Sequence, residues 1–266
     1  MSEVERNENT PSFVMNGYGM TKAYKHRAYR SLVSHKKLAS FRVVVKETDL
    51  LVRADRPLET ETRDLVLKHR IPVERYLEQH PEFVHRMIPL PQDQLASPIV
   101  RTMIAASQKA GVGPMAAVAG AIAEYVGRDL LVHSKDVIVE NGGDIFIRAR
   151  FPLVAAIFAG NSPLCSKLGV RIDSPGRPVA VCTSSGTLGH SLSLGTADAA
   201  VVISESAALA DAAATAIGNE VSGKHDIEPA IAFGKRIEGV LGIVVILNNK
   251  IGFWGNVDLV RISGVS

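Results

Sequence analysis

The sequence predicts an α+β fold in which antiparallel-rich sheets pack against helices. Its 266 residues are 46% hydrophobic and 21% charged, which suits a globular chain with a sizeable core. Runs of strand-forming residues are joined by turns of a few residues, and such hairpins are typical of antiparallel sheets. Strands and helices do not alternate regularly, and no Gly-x-Gly-x-x-Gly motif follows a predicted strand. These features exclude a parallel, dinucleotide-binding fold of the Rossmann type.

We expect residues 1–16 to form a disordered tail, because they are polar and show no periodicity. Residues 17–266 then make up a single domain, and its division into two similar halves is an open alternative. The first residues carry acids and amides in place of the basic and apolar runs of a signal peptide. Two cysteines without a Cys-x-x-Cys motif suit a reducing compartment. We therefore expect a cytoplasmic protein that is not embedded in a membrane.

Positive charge is concentrated near the N-terminus. Between Lys22 and Arg42 there are seven Lys or Arg residues and no acidic residue. The chain after Arg42 carries 22 basic and 24 acidic side chains, a net charge of −2. The basic segment is compatible with a nucleic-acid surface, and equally with a solvated face that meets an anionic ligand. Because the rest of the chain would repel phosphates, we do not expect nucleic acid as a partner.

The first half of the chain predicts one hairpin followed by helices. Strands over Phe41–Lys46 and Leu50–Arg53 flank a turn at residues 47–49. A helix over residues 58–80 is expected to be interrupted near Pro72, since proline cannot continue the hydrogen-bond ladder. A further helix is predicted over residues 98–110.

The stretch Gly111–Gly127 predicts a buried helix after a glycine break. Pro114 suits its first turn, and Gly127 suits its C-terminal cap. The body of this helix is almost entirely Ala, Gly, Val and Ile. A helix so thin and apolar is normally buried against a sheet or another helix.

Hairpins dominate the second half. Asp136–Glu140 and Asp144–Arg148 alternate around an Asn-Gly-Gly turn, which is a strong hairpin signal. An Ala-rich helix covers residues 206–217, with Ser206 as N-cap and Gly218 as C-cap. The other predicted strands cover residues 153–159, 168–172, 178–182, 199–204, 242–246, 251–254 and 257–262. The apolar hairpin formed by the strands at 242–254 is our reason to expect a homodimer.

The Ala-rich helix carries a candidate metal site. Asp211 and Thr215 are four residues apart, so their oxygens stand on one face, and their neighbours are mostly alanine. A carboxylate and a hydroxyl, joined by a carbonyl and phosphate oxygens, suit a hard cation such as Mg²⁺. The alternative is a structural helix in which Thr215 bonds back to the carbonyl of Asp211.

The segment at residues 182–191 predicts a phosphate-binding loop. Its hydroxyls and the amides near its glycines can surround phosphate oxygens. His190 can serve as a general acid or base near neutral pH. The alternative is a turn whose hydroxyls satisfy their own backbone. The polar and glycine residues of the segment are Thr183, Ser184, Ser185, Gly186, Thr187, Gly189, His190 and Ser191.

The turn of the central hairpin is a third candidate site. Its glycines let the backbone touch a flat ligand, while Asp144 or Glu140 can hold a hydroxyl or an amine. The alternative is an ordinary hairpin with two solvated acids.

Together these segments resemble a known enzyme family. Asn141-Gly-Gly-Asp-Ile145, a Thr-Ser-Gly-type loop with a following His, and Ala210–Ala216 resemble the ApbE-like flavin transferases. Those enzymes use FAD and a divalent cation, usually Mg²⁺, to attach FMN to a Thr or Ser of a protein. A closer resemblance, from about residue 40 to the end, is to an uncharacterised protein family grouped beside them. The segments that carry it are Glu47–Leu50, Gly111–Gly120, Val139–Asp144, Thr183–Ser191 and Leu209–Thr215.

The resemblance implies an ApbE-like fold and a role for each motif. Asp211 and Thr215 match the side-chain metal ligands of the transferases, and Mg²⁺ on them would bridge the phosphates of FAD. His190 or Asp144 would take a proton from an incoming hydroxyl. The pocket is expected between the Gly-Gly-Asp turn, the loop at 183–191 and the start of the helix at 113–127. Its cofactor-binding residues would be Asn141, Gly142, Gly143, Asp144, Thr183, Ser184, Ser185, Gly186, Thr187, Ser191 and Met115.

Two departures from the transferases leave two functions open. Val118-Ala-Gly120 stands where they carry Ala-Lys-Gly, and Ser191–Gly195 replaces an Ile-Ile-Asp-Pro segment. One function is Mg²⁺-dependent transfer of FMN to an acceptor protein, or cleavage of the FAD pyrophosphate. The alternative is a non-catalytic nucleotide- or flavin-binding protein that keeps the pocket without the transfer chemistry.

Overall fold

The computed structural model describes residues 38–186 and 194–262. The strands are β1 (Ala39–Val45), β2 (Thr48–Ala54), β3 (Val137–Asn141), β4 (Asp144–Arg148), β5 (Leu153–Ala156), β6 (Leu168–Ile172), β7 (Val179–Ser184), β8 (Ala199–Ser204), β9 (Val240–Leu247), β10 (Lys250–Gly255) and β11 (Asp258–Arg261). The helices are α1 (Glu59–Gln79), α2 (Glu82–His85), α3 (Pro98–Ala110), α4 (Val118–Leu130), α5 (Ala207–Asn219) and α6 (Ile227–Gly234). A 3₁₀ turn at Pro114–Ala117 leads directly into α4.

The strands form two antiparallel sheets. Eight strands make the larger sheet, in the order β1-β2-β3-β4-β7-β8-β9-β10. The smaller sheet has the order β11-β6-β5. All neighbouring strands in both sheets run antiparallel. With helices packed on the larger sheet, the predicted α+β class is confirmed.

The larger sheet separates two hydrophobic cores. Successive strand residues point to opposite faces, so Phe146 and Cys182 face the helices while Ile145 and Val181 face the smaller sheet. The helix-side core receives many alanines from α4 and α5, which lets these helices pack closely on the sheet and on each other. The molecule is thus layered in the order helices, larger sheet, smaller sheet.

Most predicted elements are present. The strands at residues 144–148, 168–172 and 199–204 and the helix at 98–110 have the predicted bounds. The remaining predicted strands are present with ends shifted by a few residues. Helices α2 and α6 and the 3₁₀ turn were not predicted.

Three details of the helix predictions are wrong. Helix α1 continues through Pro72, because Val66 and Val73 on either side are buried and outweigh the one hydrogen bond that proline cannot donate. Gly127 and Gly218 are not caps, since each lies inside its helix. Gly127 is instead required by packing, because it faces the ring of Phe146.

The first hairpin turn is also placed differently. Lys46 and Glu47 form the turn, with φ of 52° at Lys46, and Thr48 and Asp49 already belong to β2. Asp49 accepts two hydrogen bonds from the Arg42 guanidinium across the hairpin, at 2.8 and 2.7 Å. This pairing extends β2 into the predicted turn.

Some predictions concern residues or properties beyond this description. The predicted tail at residues 1–16 and most of the basic segment lie outside the described residues. The single domain with its alternative of two halves, the homodimer and the cytoplasmic location stay predictions. Within residues 38–186 and 194–262, no single helix is long and apolar enough to cross a membrane.

Candidate functional site

The Asn-Gly-Gly-Asp turn has the geometry that its sequence predicts. Gly142 and Gly143 have φ of 68° and 113°, the left-handed region that two-residue hairpin turns require and that glycine adopts readily. The Gly143 N–H donates to Oε1 of Glu140 at 2.9 Å. The Asn141 amide donates to the Ala119 carbonyl at 3.0 Å. The turn is therefore attached to the first residues of α4.

Asp144 lies next to Cys182 on the face of the sheet that is covered by helices. Because Ile145 pairs with Val181 and Phe146 with Ala180, the next position of the ladder brings Asp144 to Cys182. Their side chains are hydrogen-bonded. The Cys182 thiol also lies 3.4 Å from the Ala207 carbonyl at the start of α5. Cys182 thus joins the turn to that helix.

One oxygen of Asp144 is buried without a hydrogen bond. The residue is only 6% exposed, and the part of the chain that the structure describes offers no partner to its Oδ1 atom. Buried polar atoms are nearly always paired, so an unpaired one needs an explanation. A ligand or cation that meets this oxygen is such an explanation.

Asp211 approaches the same place from helix α5. Its Oδ2 atom accepts a hydrogen bond from the Gly120 N–H at 2.8 Å, and the Ala119 N–H is a further donor. These amides lie in the first turn of α4, where N–H groups have no partner within the helix. The carboxylate therefore caps α4, and the helix dipole favours its negative charge there.

The close approach of α4 and α5 depends on Gly120. A Cβ atom at this position would lie 2.2 Å from the Ala207 carbonyl oxygen and 2.8 Å from Cβ of Asp211. No side chain fits there without moving one of the helices. The small residues that the sequence shows along both helices thus place Asp211 beside the hairpin turn.

Burial and a neighbouring carboxyl group raise the pKa of both Asp144 and Asp211. Burial is the main cause for Asp144 and, together with the charge of Glu140, raises its pKa to about 7, although hydrogen bonds from Cys182 and the Thr183 N–H oppose this shift. Burial, reinforced by the charge of Asp144, raises the pKa of Asp211 well above its usual range. Burial also raises the pKa of the Cys182 thiol. The site therefore disfavours two bare negative charges and favours a proton or a cation between them.

Glu140 is close enough to influence the pKa of Asp144, but its side chain lies on the other face of the sheet. Ile138, two residues earlier on β3, faces the smaller sheet, and strand alternation places Glu140 on that same face. The alternative in which Glu140, and not Asp144, holds a ligand hydroxyl or amine would place that ligand on the opposite face of the sheet. Glu140 stabilises the turn through the hydrogen bond that its side chain accepts from the Gly143 N–H.

The predicted site residues of the segment 183–191 lie partly within the described residues. Thr183 and Ser184 end β7 beside the turn, and the Thr183 carbonyl oxygen lies 3.7 Å from the position of a Cβ at Gly143. The Gly186 N–H donates to the Ala197 carbonyl at 2.9 Å, so this amide is already engaged within the protein. Ser185 lies between them. Thr187, Gly189, His190 and Ser191 lie outside the described residues.

The remaining candidates lie close to the two helices. Met115 is in the 3₁₀ turn before α4 and packs partly buried against the helix-side core. Thr215 is buried on α5, one turn beyond Asp211. In the described ranges no group of three or more His, Cys, Asp and Glu side chains is arranged to hold a metal. A cation here would therefore need oxygens from Thr215, the backbone or a ligand in addition to the carboxylates.

Cys182 and Glu124 are site neighbours that sequence reasoning missed. Cys182 reads as an ordinary buried strand residue, and only the pairing of β4 with β7 brings it to Asp144. Glu124 lies on α4 and is 5% exposed, yet it follows Gly120 by four residues on the same helix face. That spacing was the one available signal for Glu124.

The fold defines a class of protein. It superposes on the apo flavinyl transferase ApbE of Pseudomonas stutzeri with a TM-score of 0.52 and 15% identity, covering 82% of this chain and 94% of that one. The flavin transferase ApbE of Vibrio cholerae gives 0.52 and 11% identity, over 82% and 96% of the two chains. The ApbE protein of Thermotoga maritima gives 0.51 and 12% identity, over 81% and 96%. The chain therefore has an ApbE-like fold.

Sequence relatives assign the chain to one family among the proteins that share this fold. The UPF0280 protein MJ1526 of Methanocaldococcus jannaschii is 39% identical over 227 residues, which covers 83% of this chain and 92% of that protein. The UPF0280 protein MK0206 of Methanopyrus kandleri is 40% identical over 223 residues, covering 81% and 90%. The model of the family described as AbpE bacteria matches residues 30–251. The chain belongs to this family, and the predicted resemblance to an uncharacterised ApbE-like group is confirmed.

Proposed function

We propose that this protein binds a flavin nucleotide, FAD, together with a divalent cation such as Mg²⁺ that is held by Asp211 and Thr215 beside Asp144. One observation carries the proposal. A hairpin turn and a helix bring these two carboxyl groups to one buried site, where an oxygen of Asp144 has no hydrogen bond among the described residues. The ApbE-like fold and the flavin transferases that share it support the choice of ligand.

The donor set fits a hard cation. Carboxylate and hydroxyl oxygens are the ligands that Mg²⁺ prefers, and it is usually bound through one or two carboxylates plus phosphate oxygens of the substrate. Asp211 and Thr215 would hold it, with Asp144 beside them. When bound, such a cation supplies stabilisation of the negative charge that develops on a transferring phosphoryl group.

In the enzymatic form of the proposal, the reaction is phosphoryl transfer. The hydroxyl oxygen of an acceptor protein forms a bond to the FMN phosphorus, the pyrophosphate bond of FAD breaks, and AMP leaves. Asp144 takes the hydroxyl proton, and a pKa of about 7 suits a base at neutral pH. His190 is the second candidate for this role. With water in place of the acceptor hydroxyl, the same step is FAD pyrophosphate cleavage.

A non-catalytic flavin- or nucleotide-binding protein is the second candidate function. It is favoured by Ala119, which the resemblance to the transferases matches to a lysine of theirs. Its methyl group cannot hold a phosphate, and its carbonyl is used to attach Asn141 of the turn. The pocket survives this replacement, whereas a cationic contact to the pyrophosphate is lost.

Titration of FAD into the purified protein, with and without Mg²⁺, tests both functions. Flavin fluorescence reports binding, and chromatography reports whether FAD remains intact. Mg²⁺-dependent binding with release of AMP supports the enzyme, and binding of intact FAD supports the carrier. Absence of binding under both conditions would overturn the proposal and leave the fold assignment standing.

A further inference from the structure

The N-termini of helices α4 and α5 cap each other. Asp211 of α5 accepts a hydrogen bond from the Gly120 N–H in the first turn of α4. In return, Glu124 of α4 accepts hydrogen bonds from the N–H groups of Ala207 at 2.7 Å and Ala208 at 3.3 Å, in the first turn of α5. Both helix starts thus place orphan amides against a carboxylate from the partner helix.

Glu124 uses both of its oxygens in this arrangement. Oε2 meets the two amides and also the hydroxyl of Ser206, the N-cap residue of α5, at 2.9 Å. Oε1 accepts from the Arg128 guanidinium, at 2.9 Å from Nε and 2.8 Å from the nearest terminal nitrogen. All the partners are donors, so only a carboxylate satisfies every one of them.

We infer that Glu124 is a positioning residue for Asp211, and this inference rests on the proposed function of the site. Gly120 and Glu124 lie one turn apart on α4. Gly120 contacts the Asp211 carboxylate of α5, and Glu124 contacts the first amides of α5. The two contacts fix α5 along its axis and in rotation relative to α4. Without Glu124, α5 is free to shift at its N-terminus, and the Asp211 carboxylate leaves the Gly120 amide and the turn. Partners that orient a ligand residue commonly matter for affinity as much as contacts to the ligand itself.

The test compares Glu124→Gln with a matched control, Asp136→Asn. Asp136 is also buried, and it also accepts from a backbone N–H, that of Arg150 at 2.8 Å, and from the arginine side chain. It lies at the far end of the β3–β4 hairpin from the turn. The probe is Mn²⁺ in the presence of FAD, with free Mn²⁺ measured by electron paramagnetic resonance. We expect Glu124→Gln to weaken Mn²⁺ binding about tenfold or more and Asp136→Asn to change it less than about twofold.

A second readout does not depend on any ligand. The Gly120 amide is protected from hydrogen exchange by its bond to Asp211, and Glu124→Gln is expected to speed its exchange about tenfold. The amides in the last turn of α4 should keep their rates, because the helix itself remains folded. A merely structural role would accelerate all amides of α4 together and would lower Mn²⁺ affinity no more than the control variant, and either result would overturn the inference.

The two readouts separate this inference from the proposed function. If the parent protein binds no Mn²⁺ with FAD, the proposed function fails, while selective loss of protection at Gly120 still supports the positioning role. If Glu124→Gln does not fold, Ser206→Ala removes one contact to Glu124 and should produce the same selective effect at smaller size. Unchanged exchange at Gly120 in that variant would contradict the inference.

Discussion

Burial of the Asp144 carboxyl group lowers the stability of the folded protein when that group is ionised. Its folded-state pKa of about 7 lies above the ordinary value of an aspartate, so the folded protein holds a proton that the unfolded chain has released. The contribution of Asp144 to the free energy of unfolding is therefore present at low pH and is lost as the pH rises toward 7.

Replacement of Asp144 by Asn should therefore stabilise the empty protein at alkaline pH. Relative to the parent, the variant should gain about 2 kcal/mol in free energy of unfolding between about pH 5 and pH 8, because the amide carries no charge to bury. Urea denaturation at the two pH values measures the difference. If the difference in stability between the variant and the parent is the same at both pH values, the pKa of Asp144 is not raised in the folded protein.

The buried thiol of Cys182 should be inert in the native protein. Cys165 is partly exposed, whereas Cys182 is fully buried and its thiol pKa is raised by burial and by the neighbouring carboxylates. A thiol reagent such as dithionitrobenzoate should react rapidly with Cys165 in the folded protein and with Cys182 only after unfolding. Rapid modification of a folded Cys165→Ser variant would contradict this placement of Cys182.

Sequence reasoning selected the candidate site residues by their chemistry, but it did not show which of them are neighbours in space. Asp144 and Asp211 were chosen for residue type and spacing, Asn141 was chosen from the family resemblance, and the structure brings all three to one place. Cys182 was missed because its role depends on strand pairing, which leaves no mark on the local sequence. The roles of the residues outside the described ranges stay predictions.

Helix α4 is positioned by two glycines that lie seven residues apart, on nearly the same side of the helix. Gly120 meets α5, while Gly127 faces the sheet, where a Cβ atom would lie 2.2 Å from Cδ1 of Phe146. Phe146 is fully buried, so its ring has no space into which it can move. Helix α4, whose N-terminus is capped by Asp211, is thus held in place by close packing along its length.

Gly127→Ala should destabilise the protein although alanine is the better helix former. The gain in helix propensity is about 1 kcal/mol, and overpacking against a buried ring costs about 1–3 kcal/mol. We expect a net loss and a lower midpoint in thermal unfolding. Gly223→Ala is the control, because its Cβ would lie 3.8 Å from the nearest atom, and it should shift stability by less than about 0.5 kcal/mol. A neutral Gly127→Ala variant would contradict the packing of α4 on β4.

The turn of the central hairpin was predictable from the sequence, whereas the C-terminal ends of α4 and α5 were not. A hairpin turn such as Asn-Gly-Gly is encoded in the residues that need a positive φ, so local chemistry decides it. The end of a helix depends on what packs over it, so Gly127 and Gly218 could not be recognised as interior residues. Pro72 shows the same effect, because buried neighbours keep α1 continuous.

At the scale of the whole molecule, the site lies where layers meet. The Gly-Gly-Asp turn ends the central hairpin of the larger sheet, and the N-termini of α4 and α5 converge on the same point. The fold class could be predicted from hairpins and composition. The order of the eight strands could not, because β4 pairs with β7 across the residues that form the smaller sheet. Such a pairing between distant segments is set by tertiary packing.

The central claim is that Asp144 and Asp211 act as parts of one ligand site. The measurement that tests it most directly is a double-mutant cycle in Mg²⁺-dependent FAD affinity, with Asp144→Asn, Asp211→Asn and the double variant. We predict that each single variant weakens binding about tenfold or more and that the double variant is little weaker than either one, because both carboxylates serve the same bound group. Unchanged affinity in either single variant, or losses that simply add in the double variant, would contradict the claim.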